Sequence, residues 1–586
     1  MLGRSRSIAF TFLSASIALS ACGGTGDEAA AQAVQPPVVV EAEPAAPARA
    51  PITFASCSLE TGGTDRRAEC AQIEVPLDWS ARGPEAKKVS FFVKRLVGAA
   101  AGPHAQLWLL QGGPGGAGDG LEGLANALSK DASLGSFDIY IPDHRGTGRS
   151  AYLDCPEAKK FPPFDFAACA DEAEKTWGKE GFATFTTTTA ARDVGDTIER
   201  LRTPGQGVHV YGVSYGTYWA QRYLQLYPTQ PSAVTLDSMC GPGLCNYLTI
   251  GYWFDRVGKK LMGDCAADTT CREKLGADPV AKTAEAVAIA DARTCSGLRG
   301  MTGAMLRQVL TWFVASFELR DLVPAVVART VRCNEDDVTA LAAFVSNVRQ
   351  MTGGGFGPEP EELSSDVLGF HIAFSEMMPS PMITRAQLAK MYEGAVFAKD
   401  DPSLYDAYEA WPKYARDEHV GQYPSTATPM LLLNGTLDPQ TPQELGEEVA
   451  SHYRGPSQSF VLLPRAAHGT LHQSPVSTRS SDDACGMIVW KQFLGGPTRV
   501  LDTSCTARIL PHDFSDTQPL AKSFFGVASL WGSPARGVAP GGVPVAPAHV
   551  RAELTRAMRA TRPWLPISLQ RLELARAFAD ELGATR

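Results

Sequence analysis

The stretch Val208-His-Val-Tyr-Gly212-Val-Ser214-Tyr-Gly216, followed by Thr217-Tyr-Trp-Ala-Gln-Arg-Tyr223, decides how this chain is read. An apolar run, Val208–Tyr211, enters a glycine-flanked turn and leaves it as a helical pattern over Tyr215–Leu226. G-x-S-x-G alone is a frequent coincidence. Between a strand and a helix it describes a turn so tight that side chains at its glycines would clash. Such a turn exposes Ser214 at the start of the helix, where backbone N–H groups can hold a developing negative charge. Ser214 is the candidate nucleophile.

The rhythm continues on both sides. Val89–Val97, Leu107–Leu110, Phe137–Ile141, Val234–Leu236, Met430–Leu433 and Phe460–Leu463 read as further strands, and Ala191–Leu201 as a further helix. Alternation of this kind predicts an α/β fold with a doubly wound, mostly parallel sheet. The interval Asp237–Pro429 breaks it, with few strand signals, many Ala and Leu, and six cysteines. A mainly helical lid insertion over the carboxyl edge of the sheet is expected there, where open α/β sheets bind ligands. No internal repeat is visible.

A serine hydroxyl is a poor nucleophile until a base takes its proton and a third group orients that base. In strand-turn-helix serine enzymes these follow in the order Ser, acid, His. Pro429-Met-Leu-Leu-Leu-Asn434 runs into Gly435-Thr-Leu-Asp438-Pro-Gln-Thr441-Pro, which puts Asp438 just past a strand's carboxyl end. Phe460-Val-Leu-Leu-Pro464 then runs into Arg465-Ala-Ala-His468-Gly469. Asp438 is the expected acid and His468 the expected base. Asp237 also ends a strand and is the rival acid; Asp438 is preferred because its strand directly precedes the histidine's. His452 and His472 are the alternatives to His468, which alone sits right after a strand beside a small residue. Asp438 could instead merely open a turn. Thr441 either hydrogen-bonds the acid or caps the following helix.

The oxyanion donors in such enzymes are the N–H after the nucleophile, here Tyr215, and an N–H from a glycine-rich loop after an earlier strand. Leu107-Trp-Leu-Leu-Gln111-Gly112-Gly113-Pro114-Gly115-Gly116 supplies that loop, with Gly113 the first choice. The same stretch contains G-x-G-x-x-G (Gly113, Gly115, Gly118), the pattern of a dinucleotide site. The proline inside it and the signs of export below count against that reading.

The 586 residues carry a net charge of −9, with 44% hydrophobic and 20% charged residues. This is globular composition, and it excludes collagen-like, coiled-coil or wholly disordered chains. An acidic balance argues against a nucleic-acid partner. Arg4 and Arg6 precede an apolar run from Ile8 to Leu19 that ends in Leu19-Ser20-Ala21-Cys22-Gly23. That is the layout of a secretory signal, and it resembles the bacterial lipoprotein signal, in which the Cys becomes the lipidated first residue. Residues 1–21 are then the signal peptide and 22–54 a flexible tether rich in Ala, Pro, Glu and Val. A lipid on Cys22 would hold the protein to a membrane surface of the bacterial envelope. Of thirteen cysteines, twelve remain without Cys22, an even number that suggests disulfides. Short spacings suggest Cys57/Cys70, Cys155/Cys169, Cys265/Cys271 and Cys485/Cys505, with Cys240, Cys245, Cys295 and Cys333 pairing among themselves. A zinc site is the rival, but no paired C-x2-C or H-E-x-x-H pattern occurs.

Taken together, Gly112-Gly-Pro-Gly-Gly116, Asp143-His-Arg145-Gly-Thr-Gly148-Arg-Ser150, Gly212–Gly216, Gly435-Thr-Leu-Asp438-Pro-Gln-Thr-Pro442 and His468-Gly469 resemble the proline iminopeptidase and tripeptidyl aminopeptidase group of α/β-hydrolases. Val75-Pro-Leu-Asp78-Trp79, preceded by Cys57 and Cys70, is similar to exported members. Cys485…Gly495-Gly-Pro…Cys505 is similar to the disulfide-closed segment of the tripeptidyl aminopeptidases. The resemblance covers roughly residues 55–510. It implies an α/β-hydrolase core in two parts, 55–237 and 428–510, around an insertion at 238–427, with 511–586 a longer C-terminal extension than the family has. Gln111 stands where the family has His, and Ala467 where it has Gly.

The resemblance further implies removal of residues from peptide N-termini by a Ser-His-Asp triad and an acyl-enzyme, with no metal or organic cofactor. An aminopeptidase must recognise a protonated α-amine, which calls for a carboxylate in the lid. Phe370-His-Ile-Ala-Phe-Ser-Glu376 resembles a Cys-x-Glu stretch of family lids, with Phe374 where Cys is common. Glu376 is the candidate and Glu318 the runner-up; for each the bland alternative is a solvated carboxylate on a helix face. The expected partner is a peptide or small acyl substrate. The other readings are a carboxylesterase or lipase with the same triad, and a non-catalytic envelope binding module.

Overall fold

A computed structural model describes residues 51–59, 67–81, 86–158, 164–352, 363–479 and 481–532, with the side chains of 350–352 excepted. The expected signal peptide, Cys22, most of the tether and the part of the C-terminal extension beyond residue 532 lie outside the described residues.

The strands are β1 (Ala55–Ser56), β2 (Ala68–Pro76), β3 (Lys88–Leu96), β4 (Ala105–Leu110), β5 (Phe137–Pro142), β6 (Val208–Val213), β7 (Ala233–Asp237), β8 (Met430–Gly435) and β9 (Gln458–Leu463). They form one sheet in the order β1-β2-β3-β5-β4-β6-β7-β8-β9. β5, β4, β6, β7, β8 and β9 run parallel, while β1, β2 and β3 add an antiparallel edge. β4, β7 and β8 are buried almost throughout, as strands covered on both faces must be. β2 alternates instead, with Ala71, Ile73 and Val75 buried and Gln72 and Glu74 exposed. That half-polar pattern hides the strand among loop residues.

The helix expected from Ala191 begins at Thr187, because Thr186 and Thr189 cap it reciprocally through side chain and backbone, the capping-box arrangement. Between β7 and β8 the described residues form helices and no strand. These helices contain a second apolar core, built on Leu261, Leu306, Phe313, Val326 and Phe344. Phe514, Phe524, Phe525 and Trp531, from beyond residue 511, complete it. Over residues 511–532 the C-terminal extension is therefore part of the packed body. Arg329 and Arg332, both paired with Asp337, fasten it by donating to the carbonyls of Ser529, Leu530, Gly532 and Trp531. The disulfides are Cys57–Cys70, Cys155–Cys169, Cys240–Cys245, Cys265–Cys271, Cys295–Cys333 and Cys485–Cys505.

Candidate active site

Adjacent parallel strands release their loops at one edge, and four of those loops build the site. β6 ends at Val213 and the next residue, Ser214, turns into the helix Tyr215–Leu226 with φ 58° and ψ −129°. A non-glycine residue there carries strain of about 1–3 kcal/mol and persists only where its surroundings over-determine it. Here they do. A Cβ on Gly216 would come within 2.2 Å of the Leu110 carbonyl oxygen, and one on Gly112 within 2.7 Å of the Ser214 Cβ. Glycine at both positions lets the β4 loop and the β6 turn touch.

The loops carrying Asp438 and His468 follow β8 and β9. Asp438 is fully buried, and its carboxylate accepts from the N–H groups of Gln440 (2.9 Å) and Thr441 (3.0 Å) and from the Thr441 hydroxyl (2.8 Å). His468 Nδ1 lies 3.0 and 2.9 Å from its two oxygens. Burial alone would raise the Asp438 pKa; the facing His468 and the Thr441 hydrogen bonds outweigh it and hold the carboxyl below its usual range. It stays ionised at neutral pH, which fixes Nδ1 of His468 as the protonated nitrogen and leaves Nε2 to accept a proton. Thr441 thus backs the acid, while Pro442 takes the N-cap position of the next helix.

The rivals are placed elsewhere. His452 stacks on Tyr423 at 3.6 Å, and His472 is exposed. Asp237 spends its carboxylate on the loop that follows His468, through Thr470 and Leu471. In the glycine-rich loop the Gly112 N–H donates to Gln111 Oε1 at 2.8 Å, a role for the glutamine that stands where the family has His. The dinucleotide reading fails on chemistry: the Gly118 N–H that would meet a phosphate already donates to the Asp143 carboxylate at 2.8 Å. Among the described residues no cluster of three or more His, Cys, Asp and Glu is placed to hold a metal.

The helix Asp366–Glu376 begins against this loop, with the Ser365 N–H donating to the Gly115 carbonyl at 2.8 Å. Glu376, at its end, is only 4% exposed. It pairs with Arg222 at 2.9 Å and accepts from the hydroxyls of Tyr218 (2.8 Å) and Tyr414 (2.7 Å) and from the Thr187 N–H (3.3 Å). Burial would lower the Arg222 pKa, but the Glu376 charge overrides it and raises it. This corrects the expectation for Glu376. It is not a solvated carboxylate: Arg222 matches its charge, and its oxygens already accept from Tyr218, Tyr414 and Thr187. Glu318 is exposed, in a turn whose Phe317 N–H donates to Gln473 beyond His468.

The network around Glu376 reaches Tyr215, the residue after Ser214. The Tyr215 hydroxyl meets Thr187 Oγ1 at 3.0 Å and His144 Nε2 at 3.2 Å. Burial brings the His144 pKa down to about 4, so it is neutral. Arg145 of the same motif pairs with buried Asp193 at 2.6 Å, which also accepts from Trp79. Arg222, Tyr414 and Asp193 were missed in the sequence. Only Arg222 gave a signal, a charge within the helix Tyr215–Leu226 among Trp219, Ala220, Tyr223 and Leu224.

The chain has the α/β-hydrolase fold. A family model described as alpha/beta hydrolase fold matches residues 107–273, and one described as TAP-like protein matches residues 402–481. The tripeptidyl aminopeptidase of Streptomyces coelicolor is 28% identical over 218 residues, 33% of this chain and 39% of that protein. That of Streptomyces lividans is 27% identical over the same shares. The chain thus spans about two-fifths of the length of the curated relatives it matches. Among solved structures, the proline iminopeptidase of Mycobacterium smegmatis is 16% identical with a TM-score of 0.32, covering 73% of this chain and 98% of that one. A thermostable carboxyl esterase from Bacillus coagulans is 12% identical with a TM-score of 0.29, covering 68% and 92%.

Proposed function

We propose that this protein is an exported serine hydrolase that cleaves peptide bonds near a free N-terminus. The observation that carries the hydrolase reading is the Asp438–His468 pair, at 2.9 and 3.0 Å, beside a strained Ser214 at the same sheet edge. Ser214 Oγ attacks the substrate carbonyl and passes its proton to Nε2 of His468. Asp438 holds the resulting imidazolium, and the N–H groups of Tyr215 and Gly113 hold the oxyanion. His468 then gives its proton to the leaving amine. Water, deprotonated by the same histidine, releases the acyl group from Ser214. The Streptomyces tripeptidyl aminopeptidases and the TAP-like match over residues 402–481 support the peptidase reading. Six disulfides support export, and a lipid on Cys22 would tether the enzyme to the envelope membrane.

A second reading, carboxylesterase, is favoured by the neutralised Glu376, which removes the first candidate for binding an α-amine. The test is fluorophosphonate labelling of the purified protein, followed by a panel of tripeptidyl, aminoacyl and short acyl ester substrates. Stoichiometric labelling at Ser214, lost with Ser214→Ala together with about a million-fold of kcat, is expected, along with turnover of tripeptidyl amides. Ester turnover without amide turnover selects the esterase. Peptidase activity surviving in pure Ser214→Ala protein sinks both.

A further inference from the structure

Asp237 ends β7, between the strand that delivers Ser214 and the one that delivers Asp438. Its backbone carbonyl accepts the Ser214 N–H at 3.0 Å. Its carboxylate reaches the other way. Oδ1 accepts the Thr470 N–H at 2.9 Å and the Thr470 hydroxyl at 2.6 Å, and Oδ2 accepts the Leu471 N–H at 3.3 Å and the Tyr211 hydroxyl at 2.9 Å. The neighbouring Ser238 completes the set, with Oγ accepting the Gly469 N–H at 2.8 Å and donating to Asp237 Oδ1 at 3.3 Å. Ser238 adopts φ 58°, a left-handed conformation unusual for serine, while its own N–H donates to the Leu433 carbonyl of β8 at 2.9 Å.

Three consecutive amides after His468, those of residues 469, 470 and 471, are therefore tied to Asp237, whose backbone carbonyl also holds the Ser214 N–H, and to its neighbour Ser238, whose own N–H is held by β8. We propose that Asp237 is a positioning residue that sets His468 against Ser214 by gripping both of their loops at once. The inference rests on the hydrolase reading above. A carboxylate suits the task because ionised acceptors make the stronger bonds to backbone N–H groups and can take several donors. Proton transfer from serine to histidine tolerates little displacement, and a shift near 1 Å costs about 100-fold in rate. The acid-like position of Asp237 at a strand's carboxyl end is thereby explained without a place in the triad.

The experiment is Asp237→Asn in the full oxidised protein, beside Asp438→Asn, Ser214→Ala and Tyr211→Phe. Asparagine keeps the shape and one acceptor oxygen, but turns an NH2 group toward donors at Leu471 or Thr470. For a short acyl ester, kcat and the rate of fluorophosphonate labelling are expected to fall together by about 100-fold, with KM within about threefold. Tyr211→Phe removes a carboxylate partner that lies off the histidine loop, and should keep kcat. If Asp237→Asn fails to fold, Thr470→Val gives the second measurement, removing the Thr470 hydroxyl bond with an expected loss in kcat of about tenfold. A folded Asp237→Asn or Thr470→Val protein that keeps kcat and loses only thermal stability overturns the proposal. So does an equal fall of kcat in Tyr211→Phe. If Asp237→Asn is as dead as Ser214→Ala while Asp438→Asn stays active, Asp237 is the triad acid and the assignment of Asp438 falls instead. Activity surviving Ser214→Ala breaks the hydrolase reading itself.

Discussion

The loops carrying Ser214, Asp438 and His468 and the helical insertion between β7 and β8 are held in different ways. Ser214, Asp438 and His468 stand within five residues of the ends of their strands, and their loops are fixed by backbone hydrogen bonds and by glycines that permit close contact. The helix ending at Glu376 is fixed by a buried charge pair with Arg222, a residue 154 positions away, and by two tyrosine hydroxyls. The helical core around Phe313 and Phe344 is closed by aromatic side chains from residues 514–531. Changes to the loops should therefore cost rate with little stability, and changes to the insertion should cost stability first.

The largest effect expected is on rate. Asp438→Asn should lower kcat by about 10,000-fold, because the imidazole of His468 loses the partner that selects its tautomer. Its urea midpoint should move far less than that of any insertion variant. Steady-state kinetics and urea unfolding of the same preparation measure both. An unchanged kcat would break the comparison on the loop side.

Next comes the charge pair. Glu376→Ala leaves buried Arg222 with only the partly exposed Asp417, 3.8 Å away, as counter-charge, and should destabilise the protein by about 3 kcal/mol. Replacing both partners with methionine should recover most of that loss, since two matched apolar groups avoid the desolvation of either charge. If Glu376→Ala instead keeps its stability and raises KM for peptides with a free N-terminus alone, Glu376 meets the substrate after all.

Trp531→Ala should cost about 3 kcal/mol by opening a cavity where a side chain only 1% exposed now packs. Thermal or urea unfolding reads this, and kcat at temperatures below the transition should hold. A stability change within error would detach residues 511–532 from the core of the insertion.

The smallest effect is a pH dependence. His512 joins Asp321 at 2.6 Å and Asp264 at 3.3 Å, next to Arg320. Burial opposes its protonation, but hydrogen bonds to the two carboxylates prevail and raise its pKa above 6.5. The folded state then holds the proton more tightly than the unfolded state. The stabilisation is complete below pH 6.5, and is lost as pH rises through the raised folded value. Unfolding free energies measured from pH 6 to 9 should fall more steeply in the wild type than in His512→Gln. Parallel slopes would remove His512 as a pH-dependent tie between the C-terminal segment and the insertion.

How much was legible in the sequence follows the same division. The seven strands read from apolar runs all exist, and the helix Tyr215–Leu226 has the bounds its pattern gave. β2 escaped because its exposed face carries Gln72 and Glu74, so no apolar run marks it. The helix start at Thr187 escaped because consecutive threonines are weak helix formers whose capping bonds are invisible in composition. Ser214, Asp438 and His468 could be selected from spacing alone, since each follows a strand by a few residues. Glu376 could be singled out, but its burial and partners could not: nothing near it in the chain announces Arg222, Tyr218 or Tyr414.

What the sequence determined by itself is the part of this protein set over short distances: the strand-turn-helix around Ser214, the placing of Asp438 and His468 just past their strands, and the parallel sheet that aligns these loops. A tight turn needs its glycines in place, and a strand its apolar run, so these features are written within a few consecutive residues. Where the carboxylate of Asp237 is spent, and what neutralises Glu376, was decided by the tertiary structure alone. A buried charge has to be matched by whatever group the fold brings within about 3 Å, and here those groups come from 30 to 154 residues away.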